Sequence, residues 1–249
     1  MCFAGKSVWI IGASDGIGAA LARALAREGA RLILSARNQS ALEALAVECG
    51  DARVLPLDLA DTGSLDAAVA SIEPGTLDAV ICTAALYDPG RVEDMSREAT
   101  ARLVAVNLLG SFEVARLTPP LLRDGGQLVL FGSVAGYFGL PGGQPYSATK
   151  AAVNNLAETL RAELSPRIDV RLVCPGFVST RLTEKNDFSM PALITPDQAA
   201  AAVVKGLKGS SFELHFPKRF TWAVKLLRAL PYALSLRLTA RLGVKQADR

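Results

Sequence analysis

Short runs of β-branched and other apolar residues alternate, along the first two thirds of the chain, with Ala- and Leu-rich stretches whose apolar positions recur at helical spacing. The runs predict strands over 7–11, 31–36, 53–57, 77–82, 127–131 and 168–173, and the stretches between them predict helices such as 18–28, 40–49 and 64–72. Strands separated by helices imply right-handed crossovers and a parallel sheet. The strand runs are almost continuously apolar, as burial on both faces requires. The expectation is therefore an α/β fold with helices on both faces of a parallel sheet. No repeat, linker or charge block interrupts the pattern before about residue 213. This predicts one domain over 1–217, carrying a helical appendage over 218–249.

The first strand runs into Gly12-Ala13-Ser14-Asp15-Gly16-Ile17-Gly18. Glycines at this place let the chain turn tightly, and they let amide groups at a helix N-terminus approach a pyrophosphate. The second strand ends in Ser35-Ala36-Arg37-Asn38, with no acid at the turn. A carboxylate there holds the ribose 2′-OH of NAD, whereas an arginine accommodates the 2′-phosphate of NADP. Arg37 thus points to NADP(H), with NAD(H) as the alternative.

Composition narrows the classes further. Half of the 249 residues are hydrophobic, which excludes a solvated coil. Four widely spaced cysteines and a single histidine, His215, offer no metal-ligand spacing, so no built-in metal is expected. The same cysteines, with a start lacking the order of a signal peptide, are expected as reduced thiols in the cytoplasm. Net charge is +3 but uneven. Residues 1–213 hold 19 Lys and Arg against 23 Asp and Glu, a net −4; residues 214–249 hold eight basic residues against Asp248, a net +7.

Two segments point towards the crevice at the carboxyl ends of the strands, where open α/β sheets bind ligands. The run 127–131 leads into Gly132-Ser133, and a long helix over Tyr146–Leu164 is stopped by Pro166. Tyr146 and Lys150 share a face of that helix. An adjacent ammonium favours phenolate and is expected to lower the phenol's pKa. Ser133 can donate a hydrogen bond to a carbonyl oxygen as negative charge develops there. Asn107 is a polar residue in an apolar helical stretch, readable as a satisfied buried amide or as part of the site.

With the Gly12/Gly16/Gly18 turn, Asp58-Leu59, Asn107, Ser133, Tyr146-x-x-x-Lys150 and Pro175-Gly176-Phe-Val178-Ser-Thr180, the sequence resembles the short-chain dehydrogenase/reductase family over about 5–215. The resemblance implies a three-layer, doubly wound α/β fold of the Rossmann type with seven parallel strands, 1–217 as its dinucleotide-binding and catalytic domain, and a Ser–Tyr–Lys–Asn tetrad. Tyr146 would be the general acid in reduction and the base in oxidation. Lys150 would tune it and hold the nicotinamide ribose, Ser133 would polarise the carbonyl, and Asn107 would anchor a water relaying protons to Lys150. Asp58 would approach the adenine, while Val178 and Thr180 would contact the nicotinamide amide. It also implies a homodimer or homotetramer paired through the helix that begins at Tyr146. One departure stands out: where the family shows Asn-Asn-Ala-Gly, this chain has Cys82-Thr83-Ala84-Ala85. The small residues still allow close passage of the backbone at Ala84, but the local hydrogen bonding of the lost Asn and Gly is in question.

A substrate lid is expected over about 181–195, with Phe177, Leu182, Phe188 and Met190 as apolar lining, followed by a helix opened by Thr195-Pro-Asp. The segment 220–242 is basic and amphipathic: Lys225 and Arg228 are three apart, Arg237 and Arg241 four apart, with leucines between. Pro231 is expected to divide it. It reads as a capping helix pair, a cover for the cleft mouth, a subunit contact, or a peripheral membrane attachment with Trp222 and Phe220 in the headgroup region. Nucleic-acid binding is not expected, since no aromatic platform accompanies the charge. The sequence reading is an NADP(H)-dependent carbonyl/alcohol oxidoreductase acting on an apolar small molecule. Its alternatives are an inactive nucleotide-sensing or scaffolding relative and a membrane-surface reductase of lipid-like carbonyls.

Overall fold

The computed structural model describes residues 2–50, 52–186 and 188–247, with side chains placed through residue 240; the expectation for Arg241 therefore lies outside the described side chains. Seven strands form one parallel sheet in the order β3-β2-β1-β4-β5-β6-β7: β1 Ser7–Ile11, β2 Arg31–Ser35, β3 Arg53–Val54, β4 Leu77–Cys82, β5 Leu122–Phe131, β6 Ile168–Pro175 and β7 Glu213–Phe216. Alternation along β1 shows how the layers form. Val8 and Ile10 enter a core with helices α1 (Gly16–Arg27), α2 (Gln39–Glu48) and α7 (Pro196–Leu207). Trp9 and Ile11 enter the opposite core, with α3 (Thr62–Ala70), α4 (Arg97–Val104), α5 (Gly110–Leu117) and α6 (Tyr146–Leu164) arranged on that side of the chain path. The buried indole of Trp9 donates to Ser35 Oγ at 2.8 Å, so its one polar atom is satisfied.

The pattern-based boundaries shift where the backbone is special. The strand expected over 53–57 is regular for two residues, because Pro56 has no N–H to give to the ladder. Leu55 and Leu57 nevertheless donate to Leu34 O and Ala36 O, carrying the chain to Asp58. β5 begins five residues before the expected start, at Leu122, and its pairing with β4 shifts register between Leu77 and Ala79. Gly125, at φ +76°, lies in that irregular stretch. β7, which the hydrophobic pattern did not single out, closes the sheet edge. After it come α8 (Lys218–Ala229) and α9 (Tyr232–Ala247), divided at Pro231 as expected. Thr195 and Gln198 form a reciprocal capping box at the start of α7, with Pro196 in its first turn. No helix among the described residues is long and apolar enough to cross a membrane.

Candidate active site

The glycine turn is seated directly on the end of β2, since Gly12 N and Ala13 N both donate to Ser35 O, at 2.7 and 3.0 Å. Its glycines are required by contact. A Cβ on Gly12, already at φ +97°, would lie 2.5 Å from Ala84 N, and one on Gly18 would lie 2.1 Å from Gly12 O. Asp15 caps α1 by accepting from Gly16 N at 2.7 Å, and it pairs with Arg181 of the lid at 3.1 Å. The departure at 82–85 is repaired locally. Thr83 Oγ1 lies 3.1 Å from Ile11 O and 3.0 Å from Gly12 O, so one hydroxyl proton is shared by two carbonyls of the turn. Thr83 N and Ala84 N both donate to Ile11 O.

At the far end of the turn Arg37 is exposed and makes no hydrogen bond or ion pair among the described residues. Asn38 beside it caps α2 by accepting from Ala41 N at 3.1 Å. Asp58 accepts from Ala60 N at 3.0 Å, which fixes its carboxylate just beyond β3. Leu59 is buried and fills the space over Gly110, where a Cβ would meet it at 2.9 Å; it is a packing residue. Pro175 ends β6, and Gly176 N donates to Phe216 O at 2.7 Å. Val178 is buried and bridges to Ile194, while Thr180 lies against Gly16, where a Cβ would meet its methyl at 3.0 Å. Ser14, Ile17 and Gly18 complete the start of α1, and Ile17 reaches the cleft.

Ser133, Tyr146 and Lys150 line one cleft. Ser133 Oγ accepts from Ala135 N at 3.1 Å, which leaves its own proton to be donated. Ser147 Oγ donates to Ala135 O at 2.7 Å, tying the start of α6 to the same loop. Lys150 is buried; its Nζ donates to Phe131 O at 2.7 Å and stands 5.7 Å from the centroid of the Tyr146 ring. Burial pushes Tyr146 up to about 12, with the Ser133 hydroxyl pulling the other way. This corrects the expectation that Lys150 brings the phenol down: the ammonium is engaged with the Phe131 carbonyl, and desolvation dominates. Burial also brings Lys150 down to about 8.

Asn107 sits in a single wide turn, Ala105–Leu109, between α4 and α5, with π-type spacing. Its side chain accepts from Leu86 N at 2.7 Å and donates to Leu86 O at 2.9 Å and to Thr149 Oγ1 at 3.3 Å. The amide is buried and hydrogen-bonded on both its oxygen and its nitrogen, and it staples the 84–87 segment to α6. That staple sets the next residue, Tyr87, whose ring stands edge-on to Tyr146 with centroids 4.9 Å apart. Tyr87 also donates to Asn186 Oδ1 of the lid at 2.6 Å. Pattern reading missed Tyr87; an aromatic residue two positions after β4's small-residue exit, Cys82–Ala85, was the available signal.

The cleft encloses about 910 Å³. Beyond the catalytic end its wall is apolar: Leu140, Phe177, Leu182, Phe188, Phe220 and Val224 face it, and Lys150 is its only charged lining residue among the described residues. Phe177 packs against Phe188 at 5.7 Å and Phe220 at 5.4 Å between centroids. Met190 departs from expectation, since its sulfur contacts Asn186 Nδ2 at 3.2 Å within the lid and not the cleft. Phe220 departs from the attachment reading, which put it beside Trp222 at the headgroups: it faces the cleft with Val224, which was missed, because the i, i+4 spacing on α8 was visible but not which way it faced.

Residues 6–189 match the model of the short chain dehydrogenase family. Ketoacyl reductase HetN of Nostoc sp. (strain PCC 7120) is 34% identical over 223 residues, 84% of this chain and 78% of that protein. A short chain dehydrogenase of Burkholderia cenocepacia J2315, solved in complex with NADP, superposes with a TM-score of 0.82 at 27% identity, covering 96% of this chain and 99% of the other. One from Sphingobium yanoikuyae, in complex with NADPH, gives 0.78 at 26% identity, covering 97% and 95%. On sequence match, sheet order and cleft together, this chain belongs to the short-chain dehydrogenase/reductase family of oxidoreductases.

Proposed function

We propose that the protein is an NADP(H)-dependent oxidoreductase that interconverts an apolar ketone or aldehyde and its alcohol, with Tyr146 as the proton donor and acceptor. The observation that carries this reading is the meeting of Ser133, Tyr146 and Lys150 at the polar end of an otherwise apolar cleft. The chain fits a dinucleotide. The glycine turn leaves no room for side chains between β1 and α1, and the first amides of α1 lack intrahelical partners. Unpaired Arg37, with no acid beside it, suits a 2′-phosphate, and the NADP and NADPH complexes of the Burkholderia and Sphingobium relatives support that choice.

When bound, the nicotinamide supplies hydride to a carbonyl carbon or receives it from an alcohol. The Ser133 proton meets the carbonyl oxygen, where negative charge grows as hydride arrives. Tyr146, with a pKa of about 12, is protonated at neutral pH and is therefore ready to act as the acid in reduction. As its proton leaves, the phenol oxygen gains charge on the helix face that carries the Lys150 ammonium. Asn107 holds Leu86, and through it Tyr87, against the phenol ring. Pairing of subunits through α6, whose Ala151, Asn155 and Glu158 are exposed, belongs to the same reading and is tested by sedimentation equilibrium.

Absorbance at the reduced-nicotinamide band, followed with a panel of aldehydes and ketones, tests the activity. NADPH is consumed with apolar carbonyls, and Tyr146→Phe lowers kcat by about 10³-fold while the Kd for NADPH stays within about twofold. If no carbonyl on the panel is turned over while NADPH still binds, the nucleotide-sensing alternative takes its place.

A further inference from the structure

From 218 to 247 the sequence holds seven Lys and Arg and not one Asp or Glu. The structure shows what this segment does with its apolar residues. Helix α8 has two unlike faces. Phe220 and Val224 look into the cleft and Thr221 is buried, while Trp222 and Leu226, one turn apart, are 60% and 65% exposed between exposed Lys218 and Arg219. Among the described side chains of α9, which end at residue 240, the buried ones are Ser235 and Thr239, whose hydroxyls bond to Pro231 O just before the helix and to Leu236 O within it. The described leucines are exposed: Leu234, Leu236 and Leu238 lie between 47% and 54% exposed, and Tyr232 at 63%. Small hydroxyls thus face the protein and the large apolar side chains face outward, the reverse of an ordinary capping helix. Arg228 and Arg237 are exposed among them.

We infer that α8 and α9 form a docking face for an anionic lipid surface. Aromatic and aliphatic side chains at the level of the headgroups, framed by Lys and Arg whose stems reach back to water, are what such an interface selects. A second copy of the chain is the poorer occupant, because a two-fold contact would bring two basic patches of the same sign face to face. Neither helix can span a bilayer, so the attachment is peripheral. One consequence rests on the proposed function: since the same helix walls the cleft through Phe220 and Val224, a lipid-docked protein would draw its apolar carbonyl from the lipid phase.

The test is co-sedimentation of the full chain with phosphatidylcholine vesicles and with vesicles containing about a third phosphatidylglycerol. Binding to the anionic vesicles is expected to exceed that to the neutral ones at least about tenfold, and to fall steeply in about 0.5 M salt. Lipid brominated along its acyl chains is expected to quench the indole of Trp222 and not that of Trp9, which is fully buried; in Trp222→Phe the quenching disappears. The triple charge reversal Lys218→Glu, Arg219→Glu, Arg237→Glu is expected to lower binding at least about tenfold, with NADPH affinity kept. Absence of sedimentation with either vesicle overturns the inference, as does binding of wild type that salt does not weaken. It is equally overturned if the lipid-free mass doubles with concentration and returns to a monomer in Trp222→Glu/Leu226→Glu, which would make the face a subunit contact. None of these readings needs turnover, so a failed carbonyl assay would remove the proposed activity and leave this inference standing.

Discussion

The two halves of the cleft are built by different means. The half that suits a dinucleotide is made of backbone. Gly12, Gly16 and Gly18 clear the space, and Ser35 O, Ile11 O and Gly12 O take hydrogen bonds that lock the turn to its neighbours. The half that suits a substrate is made of side chains, Phe177, Phe188 and Phe220 above all, contributed by the chain just after β6, the lid and α8 and packed ring against ring. In the first half a single methyl group has nowhere to go. In the second, one ring can be exchanged for another at modest cost. The comparison teaches that the cradle next to β1 is fixed by chain geometry, whereas the far wall of the cleft is a matter of which apolar side chains happen to line it.

The sharpest way to break this contrast is Gly18→Ala. The added carbon meets the carbonyl oxygen of Gly12 in rigid backbone, so a loss of about 2–3 kcal/mol is expected, seen as a melting point lowered by roughly 5–10 °C. The Kd for NADPH should rise at least about tenfold with it; an unchanged melting point would show that the turn can yield after all. Next comes Arg37→Ala, for which isothermal titration should show NADPH weakened about tenfold to a hundredfold and NADH within about twofold. Equal weakening of both would detach Arg37 from the 2′-phosphate. On the substrate side, Phe220→Ala is expected to cost only about fivefold in kcat/KM for bulky apolar carbonyls, with NADPH affinity unmoved. The mildest effect is one of pH. Lys150 is charged below about 8 and neutral above it, whereas Tyr146 keeps its proton to about 12. The rate of carbonyl reduction should therefore be level through neutrality and decline above about pH 8, and Lys150→Met should lose that inflection.

What could be read beforehand was whatever is written in short spacings. The glycine turn, the i, i+4 pair Tyr146 and Lys150, Ser133 at a strand end and the Thr195-Pro196 helix start each depend on residues within a few positions of one another, and each stands where it was expected. Tyr87 and Phe220 were not legible, because their meaning lies in partners far along the chain. Tyr87 meets Tyr146 and Asn186, and Phe220 meets Phe177. The phenol's pKa was misjudged for a related reason. Spacing shows that an ammonium is near, but not that it is already engaged by Phe131 O, nor how much water burial removes. The departure at Thr83 looked like a loss because the lost amide was visible, whereas the hydroxyl's reach to two carbonyls was not.

The wide turn at Ala105–Leu109 holds one more residue than a regular helix would need, so α4 and α5 are out of phase across it. Removing a single residue there would knit the two into one continuous cylinder and swing every later side chain, or every earlier one, by about 100°. Asn107 would then leave Leu86, and Tyr87 would lose the anchor that sets it edge-on to Tyr146. An insertion of one amino acid, some forty positions from the phenol, thus sets the ring that stands against Tyr146: deletions through 105–109 are expected to lower carbonyl turnover about as much as Tyr146→Phe does.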